Sequence, residues 1–502
     1  MLYLQAAEII ETAKTQKKSV KSLIYACQSQ NFRKLYALVN ETLKYASIID
    51  EILKCTRLLE LEKCLSQSLA QIYLYELLFG KGLHGNKKAV KAVLRHKTSL
   101  NAALARLKIK AKVSRNEDLL AEEVKMSKVI PRYVRVNTLK TSMDDVIQHF
   151  TAIGYKCILT VNEKEETCSR LTADELSVFQ KGLLKRLESK SFCVDVHLPF
   201  LLVFPHGCDL HTDPLYLKGD IILQDKASCI PAHVLNPPAE SHVIDACAAP
   251  GNKTSHLASI MNNTGKIYAF DLDVKRLKTL ERLTSKAGVG NIEAKHRNFL
   301  KDVSPSDPKF QNVEYILVDP SCSGSGMVNR LDHVTNNTQS ESQERLESLA
   351  LFQASILKHA LSFPAVKRVV YSTCSVHKIE NEDVVGLVLK EFPDFEITRC
   401  LPLWCKRGLK STLVGENCLR AAPAETFTNG FFVALFNRKE KSRGTSAVKC
   451  EEQNTKRKNL KRKMERKRSK EEKINSSEAD EAVSLKEGDD INPKKKKKRI
   501  VK

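Results

Sequence analysis

The chain of 502 residues holds one tryptophan and no apolar run near the ~18 residues that a bilayer-spanning helix needs, which excludes a transmembrane helix. Residues 1–18 show no basic stretch followed by an apolar core, so no secretory signal is expected. Fifteen cysteines are present, yet no two form a C-x-x-C pair, so a structural zinc site has no support and no metal is expected. Their odd number, scattered without a framework, points to reduced thiols in the cytosol or nucleus. No internal repeat is evident. From Arg438 to Lys502 there is no aromatic residue at all.

What is present divides by region. The 42% hydrophobic content suffices for true cores, and the length suits two to four domains. The net charge is +23. The aromatic-free terminus holds 24 basic and 12 acidic residues, so about half the excess sits there. Such a segment buries too little apolar surface to offset its ordering entropy, and disorder is expected. Its basic blocks, Lys456–Lys470 and Lys494–Arg499, suit nuclear localisation and loose attraction to RNA. The remainder is mildly basic, as suits a nucleic-acid binder.

Along the chain, apolar residues from Ala6 to Leu120 recur at three-and-four spacing and predict helices. Gly80, Gly82 and Gly85 interrupt them, and a basic helical stretch runs from Lys87 to Lys112. That stretch is either an RNA contact or a solvated helix face. From Arg132 the texture changes. Arg132–Asn137 alternates like a half-buried strand, Asp144–Phe150 reads as helix, and Leu198–Phe204 and Tyr216–Leu223 read as strands. From Ser241 onward, strand and helix alternate. Strands are expected at Val243–Cys247, Ile267–Phe270, Val313–Val318 and Val366–Ser372. Helices are expected at Thr254–Met261, Lys275–Ala287 and Gln343–Phe363. This rhythm predicts a doubly wound parallel sheet whose ligands bind at the carboxyl ends of the strands.

Those ends carry the unusual residues. The first strand runs into Asp245-Ala246-Cys247-Ala248-Ala249-Pro250-Gly251-Asn252-Lys253-Thr254, a small-residue turn that opens a helix and lets backbone approach a ligand. Its spacing is not that of a P-loop. Asp271 ends the next strand, 24 residues after Cys247, where an acid is placed for ribose hydroxyls or for capping the following helix. Asp273 is the better cap, and Arg276 reaches the same ligand or pairs with an acid. Two further strands end at Asp319-Pro320-Ser321-Cys322 and Ser372-Thr373-Cys374-Ser375. A lone cysteine is usually a small buried hydrophobe. Two at strand tips beside a nucleoside site suit a nucleophile and a proton acceptor. Spacing alone does not say which is which.

In order, Asp245–Thr254, Asp319–Gly326 and Ser372–Ser375 resemble the Nop/Sun-domain family of RNA cytosine-5 methyltransferases, the RsmB-like class. The resemblance runs from about Pro131 to Asn437, taking in Arg135–Thr138, Gln224–Ser228 and Gly430–Phe432. The wording of Asp319–Gly326 and the helical amino-terminal region look most like the family's fifth animal member, a nucleolar methyltransferase of large-subunit ribosomal RNA. The resemblance implies S-adenosylmethionine as cofactor. The turn Cys247, Ala248, Ala249, Pro250, Gly251, Asn252, Lys253 would hold its methionine part, and Asp271 its ribose, with Arg276 nearby. Asp319 would lie between cofactor and base. Cys374 would be the nucleophile, and Cys322 would assist product release. The chemistry fits, because C5 of cytosine is a weak nucleophile until a thiolate adds at C6. An acid or hydrogen-bond donor near N3 is also needed, and a protonated Asp319 would serve. The base must be unstacked into the pocket.

Three departures from the family pattern stand out. Asn252 replaces a second glycine, Ser321 stands in the Asp-x-Pro-Cys register, and Asn298 occupies a position where many members place an Asp near adenine. Asn298 still offers an acceptor, so weaker cofactor binding is the expected consequence. The expected architecture is α/β and has four parts. They are a helical domain at 1–128, an α+β RNA-binding module at 129–235, a Rossmann-like methyltransferase domain at 236–437 and a disordered basic tail at 438–502. The expected activity is 5-methylcytosine formation in RNA, most readily ribosomal, in the nucleus and nucleolus, with pre-ribosomal particles as partners and no membrane. The competing reading is a non-catalytic ribosome-assembly factor that retains the fold. A third, methylation of an exocyclic amine, does not fit Ser321-Cys322.

Overall fold

The structure, a computed structural model, describes residues 2–16, 20, 23, 24, 27, 31–120, 125, 130–328 and 343–439. The basic blocks at 456–470 and 494–499, and the disorder expected beyond 439, lie outside the described residues. No helix among the described residues is long and apolar enough to cross a membrane.

The amino-terminal part is helical: Leu2–Gln16, Phe32–Lys44, Ala46–Thr56, Gln67–Leu78, Lys88–Arg95 and Lys97–Ala111. Each helix turns one apolar face inward, as Leu35, Leu38, Val39 and Leu43 do in the second. A buried polar tie joins three of them, with Gln71 donating to Asp50 at 2.6 Å and accepting from Lys14 at 3.0 Å. The expected basic helix is two helices that meet at His96. In the first, Val90, Ala92 and Val93 face the core while Lys88, Lys91 and Arg95 face solvent.

The second part is a mixed sheet of β1 (Arg132–Val136), β2 (Lys156–Cys157), β3 (Ser191–Val194), β4 (Leu201–Phe204) and β5 (Ile221–Leu223), in the order β2-β3-β4-β1-β5. Three helices cover it, Met143–Ala152, Val161–Cys168 and Ala173–Lys185, and each starts with a capping box: Ser142 with Asp145, Thr160 with Glu163, Thr172 with Glu175. Two sequence expectations change here. Tyr216–Leu223 is not one strand. Asp213 caps a short helix, Pro214–Lys218, and Gly219 ends it at φ 84° before β5 begins. Nor is β1 half-buried. Arg135 is fully enclosed, donating to Gln224 at 2.7 Å and to Ser255 at 2.8 Å, so hydrogen bonds hold inside a side chain that alternation alone assigns to solvent.

The third part is an eight-stranded sheet of β6 (His242–Asp245), β7 (Lys266–Asp271), β8 (Ile292–His296), β9 (Val313–Val318), β10 (Arg368–Thr373), β11 (Phe395–Thr398), β12 (Leu419–Ala421) and β13 (Phe431–Arg438). Five strands run parallel in the order β8-β7-β6-β9-β10, so the order reverses between β6 and β9. Alternate residues face opposite ways. Val243, Ile267, Leu317 and Val370 pack toward the helices Lys226–Leu235 and Asn252–Ile260. Ile244, Phe270, Ile316 and Tyr371 pack toward Gln343–Leu361 and Glu382–Glu391. The first of these cores also contains Tyr133, Leu176, Cys193 and Val203, so the mixed sheet and the large sheet share one core.

The strand–helix rhythm did not announce the last strands. β13 runs antiparallel between β10 and β11, pairing Thr373 with Phe432, and β12 also pairs with β13. This insertion brings Gly430 and Phe431 to the carboxyl ends of β9 and β10.

Candidate active site at the strand ends

The turn after β6 is closed by its own backbone. Ala248 N–H donates to Phe270 C=O at 2.9 Å, and Gly251 N–H donates to Ala248 C=O at 2.8 Å. The Ala249-Pro250 bond is cis. Gly251 sits at φ 102°, and a Cβ there would lie 3.1 Å from the Leu280 side chain. Asn252 begins the helix that follows, and Thr254 donates to the buried Asp245 at 2.7 Å. Burial pushes the Asp245 carboxyl up to about 7. Burial, with the carboxylates of Asp245, Asp319 and Asp271 nearby, also pushes the Cys247 thiol well up.

Asp271 ends β7, 5% exposed. Each of its oxygens accepts one backbone N–H: Oδ2 from Ala249 at 3.1 Å and Oδ1 from Asp273 at 2.9 Å. A lone pair remains on each for a diol. Asp273 caps the next helix through Lys275 N–H at 2.8 Å and Arg276 N–H at 3.0 Å. Arg276 donates to Ala249 C=O and lies 3.5 Å from Asp271, which locks the turn to the carboxylate. Ala246, Cys247, Asp271, Leu272, Arg276, Arg297, Asn298, Phe299, Leu300, Ser321, Phe352 and Ile356 line one cleft. With a carboxylate, two guanidinium groups and apolar walls, this set fits a nucleoside carrying an amino-acid group. Asn298 is at the cleft, but its Oδ1 already caps the helix Phe299–Asp302, accepting from Leu300 N–H at 2.9 Å. The acceptor expected for adenine is thus engaged locally.

At the end of β9, Asp319 accepts on both oxygens. Lys253 donates to Oδ2 at 2.7 Å and the Ser372 hydroxyl to Oδ1 at 2.8 Å. Burial alone would lower the Lys253 ammonium, but the adjacent Asp319 carboxylate holds it above its ordinary value. Lys253 also reaches Ser228 at 3.2 Å and lies over the Phe431 ring. Both Asp319 oxygens are thus engaged, one by the Lys253 ammonium and one by the Ser372 hydroxyl.

Cys322 and Cys374 sit with their sulfurs 3.2 Å apart, contributed by the loops after β9 and β10. The Cys374 sulfur and then burial push the Cys322 thiol up, and the two sulfurs titrate as a pair. The loops are stitched together: Gly326 N–H donates to Cys374 C=O at 2.9 Å, and Gly430 N–H donates to Gly326 C=O at 2.8 Å. A Cβ on Gly326 would lie 2.1 Å from Gly430 C=O, so the approach requires glycine.

The structure thus gathers the expected residues in two adjoining places. Cys247, Asp271, Arg276 and Asn298 line the cleft and Ala248–Asn252 form the turn behind it, while Lys253, Asp319, Cys322 and Cys374 form the chemical end. Sequence reading missed Ser372, Ser228, Gln353 and Glu380. Among the described residues no group of three or more His, Cys, Asp or Glu could hold a metal ion.

Three family models match the chain. One, described as 16S rRNA methyltransferase RsmB/F, spans residues 232–437. Two more, the N-terminal and ferredoxin-like domains of NOL1/NOP2/Sun domain family member 5, span residues 33–120 and 130–224. A Mus musculus protein named 28S rRNA (cytosine-C(5))-methyltransferase is 46% identical over 444 residues, 88% of this chain and 91% of its own. A Schizosaccharomyces pombe protein named 25S rRNA (cytosine-C(5))-methyltransferase rcm1 is 38% identical, covering 86% and 90%. A solved structure, that of PH0851, shares the fold with a TM-score of 0.56 at 21% identity, over 86% of this chain and 97% of its own.

Proposed function

The chain belongs to the NOL1/NOP2/Sun-domain family of RNA cytosine-5 methyltransferases, and we infer that it forms 5-methylcytosine in large-subunit ribosomal RNA. One observation carries the chemistry: a thiol pair 3.2 Å apart beside an Asp–Lys pair, next to a cleft lined by Asp271, Arg276 and Arg297. A non-catalytic assembly factor would have no need to keep all of these in register.

Asp271, Arg276 and the Cys247–Gly251 turn hold S-adenosylmethionine, with Asn298 at its adenine end. When bound, this cofactor supplies the methyl group that C5 takes. Cys374 adds to C6 of a cytosine unstacked from the RNA and makes C5 enamine-like. Lys253 donates a hydrogen bond to the base as charge develops, and Asp319 accepts one from its exocyclic amine. The Cys322 thiolate then takes the C5 proton, the C5–H electron pair re-forms the C5=C6 double bond, and the C6–S bond breaks to release the Cys374 thiolate and the product.

The division into parts at 1–128, 129–235, 236–437 and 438–502 belongs to this reading, with the helix Lys226–Leu235 as the joint between the second and third. The segment from Gly80 to Asn116 has eleven Lys and Arg and no acid, and we read it as a phosphate-binding surface. Pre-ribosomal particles are the proposed setting and the nucleolus the proposed site of work. The test is bisulfite sequencing of large-subunit ribosomal RNA from cells with and without the protein, rescued by wild type or Cys374→Ala. One cytosine should lose its methyl group and regain it only with wild type. No change at any ribosomal cytosine would remove the reading.

A further inference from the structure

The loops that carry the two thiols meet on one carboxylate. Glu380 is fully buried between them. Its Oε1 accepts from the Ser323 backbone N–H at 2.9 Å and from Gln353 Nε2 at 2.9 Å. Its Oε2 accepts from the Ser323 hydroxyl at 2.6 Å and from the Ser375 hydroxyl. Ser323 follows Cys322 and Ser375 follows Cys374, so one side chain grips the residue after each cysteine. The other flanks are held as well. Gln353 donates to the Ser321 C=O at 3.1 Å, and Asn381 takes the Thr373 hydroxyl at 2.5 Å and donates to the Ser375 C=O at 3.0 Å. Burial opposes ionising Glu380, but its donors outweigh that and hold it below the usual carboxylate range. An ionised carboxylate pulls all of its donors inward, and through them both loops.

We propose that Glu380 is a positioning residue that sets the separation of the Cys322 and Cys374 thiols, its Ser375 arm governing attack and its Ser323 arm governing release. This rests on the cysteine assignment made above. The reaction needs Cys374 at C6 first and Cys322 in play afterwards, so a loop that moves by an ångström impairs one half-reaction and not the other.

The arms predict opposite effects in the full-length protein. With substrate RNA and cofactor, Ser375→Ala should form the covalent RNA adduct at least about tenfold more slowly, with none accumulating. Ser323→Ala should form it within about threefold of the wild-type rate but retain at least about fivefold more of it. Glu380→Gln keeps the volume and turns one acceptor into a donor; kcat should fall at least about tenfold with both KM values within about twofold. A readout independent of catalysis is disulfide formation under diamide. The two thiols give up two electrons and two protons to the diazene, which becomes a hydrazine. Peptide mass spectrometry should show the Cys322–Cys374 link forming at least about fivefold more slowly in Glu380→Gln. If Glu380→Gln does not fold, the two serine variants decide. Adduct changes in the same direction for both serines, or none, would overturn the proposal, as would an unchanged disulfide rate. If Cys374→Ala still forms an adduct, the cysteine assignment fails instead, and the disulfide rate still reads the positioning.

Discussion

At the ends of β6 and β7 the chain shapes its cleft mainly with backbone. A glycine at positive φ, a turn closed by main-chain hydrogen bonds and one carboxylate taking two amides define it. At the ends of β9 and β10 side chains do the same job. Asp319, Lys253 and Ser372 form one group, and Glu380, Gln353, Ser323 and Ser375 form another. Backbone shape tolerates exchange of the side chains that merely line it. A side-chain network does not, because each member's partner is buried and left unsatisfied when it goes. Of the departures from the family pattern, Asn252 falls on the tolerant side, whereas the Asn298 side chain caps the helix Phe299–Asp302.

The sharpest contrast comes from Asp319→Asn. The amide presents a donor where Lys253 or Ser372 already donates, so the kcat for methyl transfer should fall at least about a hundredfold. Cofactor affinity should stay within about threefold, as measured by single-turnover kinetics and calorimetry. On the other side, Asp271→Ala should weaken S-adenosylmethionine binding about ten- to a hundredfold through lost charged hydrogen bonds. RNA affinity should not change. If Asp271→Ala disturbed RNA binding as much, the two ends would not be separable.

Asp245 underlies both ends, and its carboxyl is pushed up to about 7 by burial. Unfolded, it titrates near ~3.9. Ionising it in the folded protein is thus the harder process. Its stabilising contribution is complete below about pH 4 and is lost as the pH rises to about 7. Asp245→Asn should therefore gain on wild type by a few degrees in Tm between pH 5 and 8, read by scanning calorimetry. A gap that stays constant with pH would show that Asp245 does not titrate there. The smallest effect is expected from Asn252→Gly, within about twofold in cofactor affinity, because the turn before it is already formed by Gly251.

The contrast also sorts what was legible in the sequence. Asp271, Asp319 and the two cysteines could be read because each ends an apolar strand, and strand ends are where such sheets bind ligands. Asp273 and Asp271 were separable because a cap sits immediately before its helix. Glu380 was not legible, because a glutamate near a helix start reads as a solvent-facing acid and nothing local shows that two distant loops converge on it. The place of the antiparallel β13 escaped because it inserts between β10 and β11, and β10 lies some sixty residues earlier. Arg135 escaped because alternation assigns faces without regard to hydrogen bonds. Tyr216 was misread because apolar content outweighed the Asp213-Pro214 helix start.

The central claim is that Cys374 attacks the base and Cys322 frees the product. The most direct measurement is denaturing-gel trapping of the protein on its RNA, comparing Cys374→Ala with Cys322→Ala in the presence of cofactor. The account predicts no adduct for Cys374→Ala and an accumulating, methylated adduct for Cys322→Ala. The reverse pattern would contradict it.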